Sequence, residues 1–326
     1  MKNLVFCCDG TDNALMHHGQ PSEDEPVRHR AENTNVAHLY ERLPKQRGEQ
    51  VTRYEPGVGT FTPSRLHRTG RLGCLMGRLF GNGLTENIEN GYHFLVEHYE
   101  PGDRIFLFGF SRGAYAVRAL SGMVKKCGLL RHDERHRVPR ATRLYFKVGN
   151  NAEAQQFREQ YSQPCEIHFI GVWDTISALG YFYRRQRFFN AELSHIVTHG
   201  YHALAIDEKR PKYEPELWDD SRRKPHQTIE QVWFAGAHSD VGGGYKDRGL
   251  AEISLQWMQK KAEHAGLILP PHHEPEQPPD PLGTAHKPWR TWSGRLLRLL
   301  FGGKKPRQLP EDATLHPSVH KRENNQ

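Results

Sequence analysis

Cysteine pairs and long apolar runs are both missing from this sequence of 326 residues. The five cysteines are scattered and odd in number, and none forms a C-x-x-C pair: Cys7, Cys8, Cys74, Cys127 and Cys165. This pattern excludes a cysteine zinc site and a disulfide framework, and it predicts reduced thiols. No apolar run reaches the roughly 20 residues of a membrane span, and the N-terminal one is too short for a secretory signal. We expect a protein that is cytoplasmic as synthesised, with any export by a non-classical route.

Internal repeats and recognised nucleic-acid-binding motifs are also absent. Lys and Arg number 45 against 38 Asp and Glu, so the formal net charge is +7. A basic balance favours contact with anionic partners such as phospholipid headgroups. Without an accompanying motif, the charge does not indicate a nucleic-acid partner.

Four short apolar runs, each followed by a turn with Gly or Asp, recur along the chain: "NLVFCCDGTDN", "RIFLFGFSRGA", "EIHFIGVWDTI" and "QVWFAGAHSDVGGGY". Runs that stay apolar are typical of parallel strands buried on both faces. "EQVTRYEPGVG" alternates and is a weaker strand candidate. Helical patterns at 83–99 and 113–128 flank the second run, and "LAEISLQWMQKKAEHAG" follows the fourth. Such alternation predicts an α/β fold, a three-layer sandwich around a mostly parallel sheet.

Two regions depart from this alternation. An insertion at about 175–230 contains an aromatic and arginine cluster at 179–189, and then a predicted helix at 191–208. We expect the insertion to form a cap. Residues 266–326 are rich in Pro and His and then basic, which predicts a C-terminal extension beyond a catalytic domain at 1–265.

The pentapeptide Gly109-Phe110-Ser111-Arg112-Gly113 matches G-x-S-x-G between a predicted strand and a predicted helix. This is the nucleophile elbow, in which a strained serine projects its hydroxyl above the sheet and the glycines avoid collisions. The alternative is a serine that only caps the helix. The context favours a nucleophile at Ser111.

A serine nucleophile needs a base and an acid, which follow it in the chain in this type of site. Asp174 follows the third apolar run and His238 follows the fourth, so the carboxyl ends of the strands would bring both to Ser111. Asp240 as the acid, with a late histidine such as His316, is the alternative. The position of Asp174 and His238 directly at strand ends favours that pair, and Asp240 would then be a supporting residue that anchors a loop.

An oxyanion needs amide donors, and the predicted donors are the amide of Arg112 at the helix start and that of Gly10 or Thr11 after the first strand. Three polar residues are candidates to brace that loop or hold a divalent cation: Asp9, Asp12 and Asn13. Three histidines share one face of the predicted helix at 191–208: His195, His199 and His202. No acidic ligand accompanies them there, so we predict no metal and no other cofactor.

Residues 292–301, "WSGRLLRLLF", would form a short amphipathic helix with leucines on one arc and arginines opposite. Together with Lys304, Lys305 and Arg307 it resembles an interfacial anchor, so 292–307 is a candidate membrane-contact segment. A helix docked on the protein body fits the periodicity equally well.

Six segments in order, "FCCDGTDN", "YEPGVGT", "GFSRGAYAVRALSGMV", "GVWDTISALG", "HALAIDE" and "WFAGAHSDVGGGY", resemble an uncharacterised α/β-hydrolase domain family. Its members include the type VI secretion phospholipase effectors of the Tle-one type. The resemblance covers about residues 1–260. It implies an α/β-hydrolase-like fold, hydrolysis of glycerophospholipid esters by Ser111, Asp174 and His238, and a secretion apparatus and immunity proteins as partners. The effectors usually carry a further membrane-targeting region, for which this sequence is short.

Other functions remain open at this point. A soluble carboxylesterase of small substrates would use the same three residues. A non-catalytic binding domain would keep only the shape of a hydrolase. "CDGTDN" is similar to the nucleophile loop of haloacid-dehalogenase phosphatases, but Cys7 stands where their nucleophilic aspartate would be.

Overall fold

The computed structural model describes most of the chain, and its described residues are 1–10, 32–44, 48–57, 72–147, 149, 151–176, 192–210, 213–271, 275, 277–290 and 306–325. Within these residues the strands are β1 (Asn3–Cys8), β2 (Gln50–Glu55), β3 (Arg104–Phe110), β4 (Leu129–Leu130), β5 (Ser162–Gln163), β6 (Ile167–Trp173), β7 (Val197–Ala205), β8 (Thr228–Phe234) and β9 (Thr314–Leu315). The α-helices are α1 (Asn35–Arg42), α2 (Leu72–His98), α3 (Arg112–Cys127), α4 (Val138–Phe146), α5 (Asn151–Tyr161), α6 (His238–Gly242), α7 (Gly249–His264) and α8 (Pro317–Glu323).

Seven strands form one sheet in the order β2-β1-β3-β6-β7-β8-β9. Every described strand pair in this sheet is parallel. Strands β4 and β5 form a separate antiparallel pair. The predicted α/β fold with a mostly parallel sheet is confirmed, and the weak candidate at 50–55 is the edge strand β2.

The central strands are buried on both faces, which explains their continuous apolar runs. In β1, Leu4, Phe6 and Cys8 face a core with α2 to α5, whereas Val5 and Cys7 face a core with α1, α7 and α8. Each face of the sheet therefore has its own apolar layer, and together with the helices the sheet makes the three-layer sandwich.

The predicted helix at 191–208 is wrong, because residues 197–205 form strand β7, which lies in the sheet between β6 and β8. Strand β7 pairs with both neighbours near its carboxyl end, where Ala203 lies opposite Trp173 of β6 and Val232 of β8. Hydrogen bonds on both sides outweigh the helical periodicity of the sequence. The predicted insertion at 175–230 therefore contains a sheet strand and the start of β8, and a cap is limited to the connections on either side of β7.

The C-terminal residues are partly integrated into the fold. Strand β9 extends the sheet beside β8, and Val319 of α8 is buried in the core with α1 and α7. The carbonyl of Gly266 accepts a hydrogen bond of 2.9 Å from the side chain of Asn3. The division into 1–265 and 266–326 stays a prediction, but the second part adds a strand to the sheet of the first.

Candidate functional site

Ser111 lies at the junction of β3 and α3 with strained backbone angles, φ 57° and ψ −119°. Its amide donates to the carbonyl of Trp173 at 3.0 Å, which ties the junction to the tip of β6. The Ser111 side chain makes no capping hydrogen bond to α3. A positive φ on a serine is costly, so the capping alternative does not account for this residue.

The two glycines of the pentapeptide allow close backbone contacts. A Cβ on Gly113 would lie 2.2 Å from the carbonyl oxygen of Cys8 and 2.4 Å from that of Asp9. A Cβ on Gly109 would lie 2.6 Å from the carbonyl oxygen of Gly113. Neither position tolerates a side chain, since the colliding atoms belong to the backbone. Helix α3 can therefore begin directly against the end of β1.

Asp174 and His238 form a direct contact at the carboxyl edge of the sheet. Asp174 follows β6 and His238 begins α6 shortly after β8. The Asp174 Oδ2 atom accepts a hydrogen bond from His238 Nδ1 at 2.5 Å, and both side chains are buried. Asp174 has a positive φ of 40°, and its amide donates to the carbonyl of Ala203 at 2.8 Å. The structure thus brings the predicted acid and base together.

The His238 imidazole is enclosed by aromatic rings. The ring of Phe110, the residue before Ser111, lies 4.5 Å from it between centroids, and the ring of Tyr213 packs edge-on at 5.0 Å. Burial lowers the pKa of His238 below its ordinary value, although the hydrogen bond and charge of Asp174 act in the opposite direction. The imidazole is therefore neutral near pH 7, which is the state that a general base requires.

Asp174 also pairs with Arg307, which comes from the C-terminal part of the chain. Burial would raise the pKa of Asp174, but the Arg307 guanidinium and the His238 imidazole outweigh it and hold that pKa well below its usual value. The carboxylate is consequently ionised. The sequence predicted Arg307 as part of a membrane anchor. That prediction is wrong for this residue, because its side chain is only 4% exposed and pairs with Asp174.

Asp9 braces the loop after β1. Its Oδ2 atom accepts hydrogen bonds from the Thr34 hydroxyl and the Tyr54 hydroxyl, each at 2.7 Å. Its Oδ1 atom accepts from the amide of Gly10 at 2.6 Å. The Gly10 amide, expected to stabilise an oxyanion, is therefore already engaged. Arg112 is the first residue of α3, as predicted, and Thr11 lies outside the described residues.

The alternative pair of Asp240 and His316 does not form. Asp240 Oδ1 accepts from His286 Nδ1 at 2.6 Å, and the Tyr245 ring stacks on His286 at 3.9 Å. His316 instead stacks on Phe234 at 4.7 Å. Asp240 therefore anchors the loop that carries His286.

The remaining predicted candidates do not converge. His199 and His202 are three residues apart on strand β7, so they point to opposite faces of the sheet, and His195 precedes that strand. Cys7 is buried in the core, and burial holds the pKa of its thiol well above the ordinary value. Among the described residues no cluster of three or more metal-ligating side chains occurs.

Several predicted features fall on residues outside the described ranges: Asp12, Asn13, the aromatic cluster at 179–189, the amphipathic segment at 292–301, Lys304 and Lys305. No described helix has the length and apolar character needed to span a bilayer.

Sequence reasoning missed three residues near the site. Glu208, buried to 1% exposure, accepts a hydrogen bond from the amide of His238 at 3.4 Å and pairs with Arg210 at 2.8 Å. Glu208 lies in "HALAIDE", one of the segments that carry the resemblance, and that was its only signal. His286 lies in a Pro- and His-rich stretch with the composition of a linker, and Arg307 was assigned to the basic anchor segment, so neither was predicted at the site.

Comparisons with known proteins identify a family and a relative of this chain. Residues 2–261 match the family described as "T6SS, Phospholipase effector Tle1-like, catalytic domain". A Saccharomyces cerevisiae protein described as uncharacterized is 32% identical over 232 residues, which is 65% of this chain and 32% of that protein.

Two solved structures match parts of this chain at low sequence identity. A crystal structure of an uncharacterized Pseudomonas aeruginosa protein has a TM-score of 0.46 and 18% identity, over 82% of this chain and 46% of that one. The structure of the Tle1 effector bound to the VgrG spike of the type VI secretion system has a TM-score of 0.42 and 19% identity, over 75% of this chain and 51% of that one.

This chain thus spans about a third of the yeast relative and about half of each solved chain. The family match covers far more than half of the chain. The protein belongs to the family of type VI secretion phospholipase effectors with a Tle1-like catalytic domain.

Proposed function

We propose that this protein is a serine hydrolase that cleaves carboxylic ester bonds of glycerophospholipids. Ser111 is the nucleophile, His238 the general base and Asp174 the acid that orients it. The observation that carries the proposal is the 2.5 Å hydrogen bond from His238 to Asp174 beside the strained Ser111 junction. The order of the three residues along the chain is that of α/β-hydrolases.

The proposed reaction has two steps. His238 Nε2 takes the proton of the Ser111 hydroxyl as its oxygen attacks the acyl carbonyl, and the oxyanion is stabilised by the amide of Arg112. His238 then returns the proton to the leaving alkoxide as the ester bond breaks. In the second step water attacks the acyl-serine with His238 as base again, which releases the fatty acid and restores the serine.

The charge state of the pair supports these roles. A neutral imidazole accepts the serine proton, and an ionised Asp174 stabilises the imidazolium that forms. Burial keeps the pKa of His238 below its ordinary value, and Arg307 with His238 keeps that of Asp174 low. Both groups are therefore in the protonation states that the mechanism needs at neutral pH.

Membership of the phospholipase effector family and the net charge of +7 favour a phospholipid substrate. The predicted basic anchor loses Arg307, because that guanidinium is buried against Asp174. Hydrolysis of small soluble esters is the alternative, and the same chemistry would serve both substrates.

The test compares wild type, Ser111→Ala and Ser121→Ala. The Ser121 hydroxyl is buried in helix α3, which begins directly after Ser111, and donates to the carbonyl of Arg118 at 2.7 Å, so its removal is a matched control. Each protein is incubated with vesicles of phosphatidylcholine and phosphatidylglycerol and, separately, with p-nitrophenyl butyrate. Products are identified by mass.

We expect fatty acid release from the vesicles by wild type and Ser121→Ala, and a loss of at least about 10³-fold in Ser111→Ala. Turnover retained by Ser111→Ala would contradict the serine mechanism. Cleavage of p-nitrophenyl butyrate alone would assign the protein to the soluble carboxylesterases. Absence of turnover on both substrates would indicate a non-catalytic binding domain.

Family membership also supports a proposal on delivery. We infer that the protein is made in the cytoplasm, exported by a type VI apparatus and neutralised by an immunity protein in the producing cell. Co-purification of the full chain with a spike protein of such an apparatus tests the first partner. Failure to bind any spike protein of the producing cell would remove this route.

A further inference from the structure

The Arg307 guanidinium donates hydrogen bonds to both oxygens of the Asp174 carboxylate. Its Nη1 atom donates to Oδ1 at 2.6 Å and its Nη2 atom donates to Oδ2 at 2.9 Å. Oδ2 is the same atom that binds His238. Two parallel N–H···O bonds of this type fix the plane of a carboxylate as well as its charge. The orientation of the oxygen that holds His238 therefore depends on Arg307.

The guanidinium also links three segments of the chain. Nη1 donates to the carbonyl of Ala205 at the tip of β7, at 2.6 Å, and Nη2 donates to the carbonyl of Tyr213. Tyr213 packs its ring against His238, and the amide of Ala205 donates to Asp174 Oδ1 at 3.0 Å. The buried Arg307 guanidinium thus donates four hydrogen bonds, two to the Asp174 carboxylate and two to backbone carbonyls beside it. One of those carbonyls belongs to Tyr213, whose ring contacts the His238 imidazole.

Arg307 lies beyond residue 261, where the match to the family's catalytic domain ends. The segment after that match therefore supplies a charged group to the candidate site, and the site is not built by the matched region alone.

We propose that Arg307 is a positioning residue of the hydrolase site, which holds the Asp174 carboxylate in the orientation that binds His238 and limits the basicity of that imidazole. This inference rests on the proposed roles of Ser111, Asp174 and His238. Arg307 does not take part in bond making, and it acts only through Asp174.

The effect on His238 follows from the sign of the charge. A cation on the shared carboxylate oxygen disfavours a second positive charge on the imidazole. Without Arg307, the full negative charge of Asp174 would favour the imidazolium, so His238 would stay protonated up to a higher pH. In that added pH range the protonated His238 could not act as a base.

Other charged or titratable groups around this pair are matched by their own partners. Glu208 near the His238 amide pairs with Arg210, and Asp240 on α6 pairs with His286. His202 on β7 is neutral, because burial lowers its pKa to about 3. Among the described residues, the remaining neighbours are the Tyr213 ring and, beyond His202, Arg118, which donates to the carbonyl of Glu216. Arg307 is therefore the cation whose loss changes the net charge at Asp174 directly.

The test measures the rate constant for labelling of Ser111 by a fluorophosphonate probe between pH 5 and pH 9. The proteins are wild type, Arg307→Met, Arg307→Lys and the control Arg42→Met. Arg42 is a buried arginine that pairs with Glu252 at 3.4 Å, so its loss also breaks a buried ion pair. Thermal unfolding of each variant is recorded alongside.

We expect the acid limb of the labelling profile to move up by about one pH unit in Arg307→Met. Arg307→Lys keeps the positive charge but loses the paired N–H bonds to the carboxylate. The acid limb of its pH profile should therefore stay in place, while the labelling rate constant falls about tenfold. Arg42→Met should lower the melting temperature and leave the limb unchanged.

Each result has one meaning. Wild type that is not labelled at any pH would overturn the proposed function itself. A labelled wild type with an unshifted limb in Arg307→Met would overturn the role of Arg307. If Arg307→Met does not fold, Arg307→Lys decides: a lower rate constant at an unshifted limb supports the inference, and a wild-type rate constant overturns it.

Discussion

Asp174 and His238 meet at 2.5 Å although the strands that they follow, β6 and β8, are separated in the sheet by β7. The tip of β7 holds Asp174 from two sides: the carbonyl of Ala203 accepts from the Asp174 amide, and the Ala205 amide donates to its side chain. Strand β7 therefore fixes the position of Asp174.

The two buried aspartates near the site should differ in their effect on catalysis. We expect Asp174→Asn to lower kcat/KM for an ester by about 10³- to 10⁴-fold, because His238 loses the acceptor that orients it. Asp240→Asn should lower it less than about tenfold, because Asp240 binds His286 and not His238. Steady-state kinetics on both variants provide the measurement. Equal losses in the two variants would contradict the assignment of Asp174 as the acid.

Gly113 is expected to tolerate no side chain. Gly113→Ala would place a Cβ 2.2 Å from a carbonyl oxygen of β1, so α3 must move away from the sheet. We expect a loss of about 2–4 kcal/mol in the free energy of unfolding. Urea denaturation measures it.

Gly122→Ala in the same helix is the control for Gly113→Ala. The nearest atom to a Cβ there is the hydroxyl of Tyr145 at 3.1 Å, at the end of a side chain that can adjust. Alanine also favours the helix, so the net change should be within about 1 kcal/mol. A stable Gly113→Ala variant would show that α3 does not need this close approach.

Asp9 should give the protein a distinct pH dependence of stability. Burial raises the pKa of Asp9 to about 6, despite the hydrogen bonds from Thr34, Tyr54 and Gly10. Because the folded pKa lies above the unfolded one, the protonated form is favoured by folding, and this contribution is lost as the pH rises from about 4 to about 6. The pKa shift of about 2 units corresponds to a loss of about 3 kcal/mol in the free energy of unfolding, because each unit is worth about 1.4 kcal/mol.

Urea unfolding at pH 4, 5, 6 and 7 tests this dependence on wild type and Asp9→Asn. Relative to wild type, Asp9→Asn should gain stability as the pH rises through this window, because its amide does not ionise. Asp220→Asn, at an exposed carboxyl, is the control and should run parallel to wild type. Parallel curves for Asp9→Asn as well would refute the prediction.

Glu252 joins two buried arginines that connect α1 to α7. It pairs with Arg42 and with Arg248, each at 3.4 Å, and is only 1% exposed. Glu252→Gln leaves both guanidinium groups facing a neutral amide, so we expect a loss of about 3–5 kcal/mol in the free energy of unfolding. Glu263→Gln on the exposed face of the same helix should change it by less than about 0.5 kcal/mol. Equal stabilities in chemical denaturation would disprove a supporting role for Glu252.

Local patterns in the sequence predicted the scaffold and assigned three candidate residues to its edge. The apolar runs predicted β1, β3, β6 and β8, because strands buried on both faces must be apolar throughout. The glycines around Ser111 predicted the tight junction, because only glycine avoids the backbone collisions there. Asp174 and His238 were predicted as site residues because each follows such a run.

Contacts between distant residues decided the rest. Residues 197–205 carry a pattern that suits a helix, and only hydrogen bonds to β6 and β8 make them a strand. The pairing of Asp240 with His286, and the grip of Arg307 on Asp174, join parts of the chain with no common local pattern. Short-range spacing carries no information on which buried charge meets which partner, since that choice is made by packing the whole chain around one sheet.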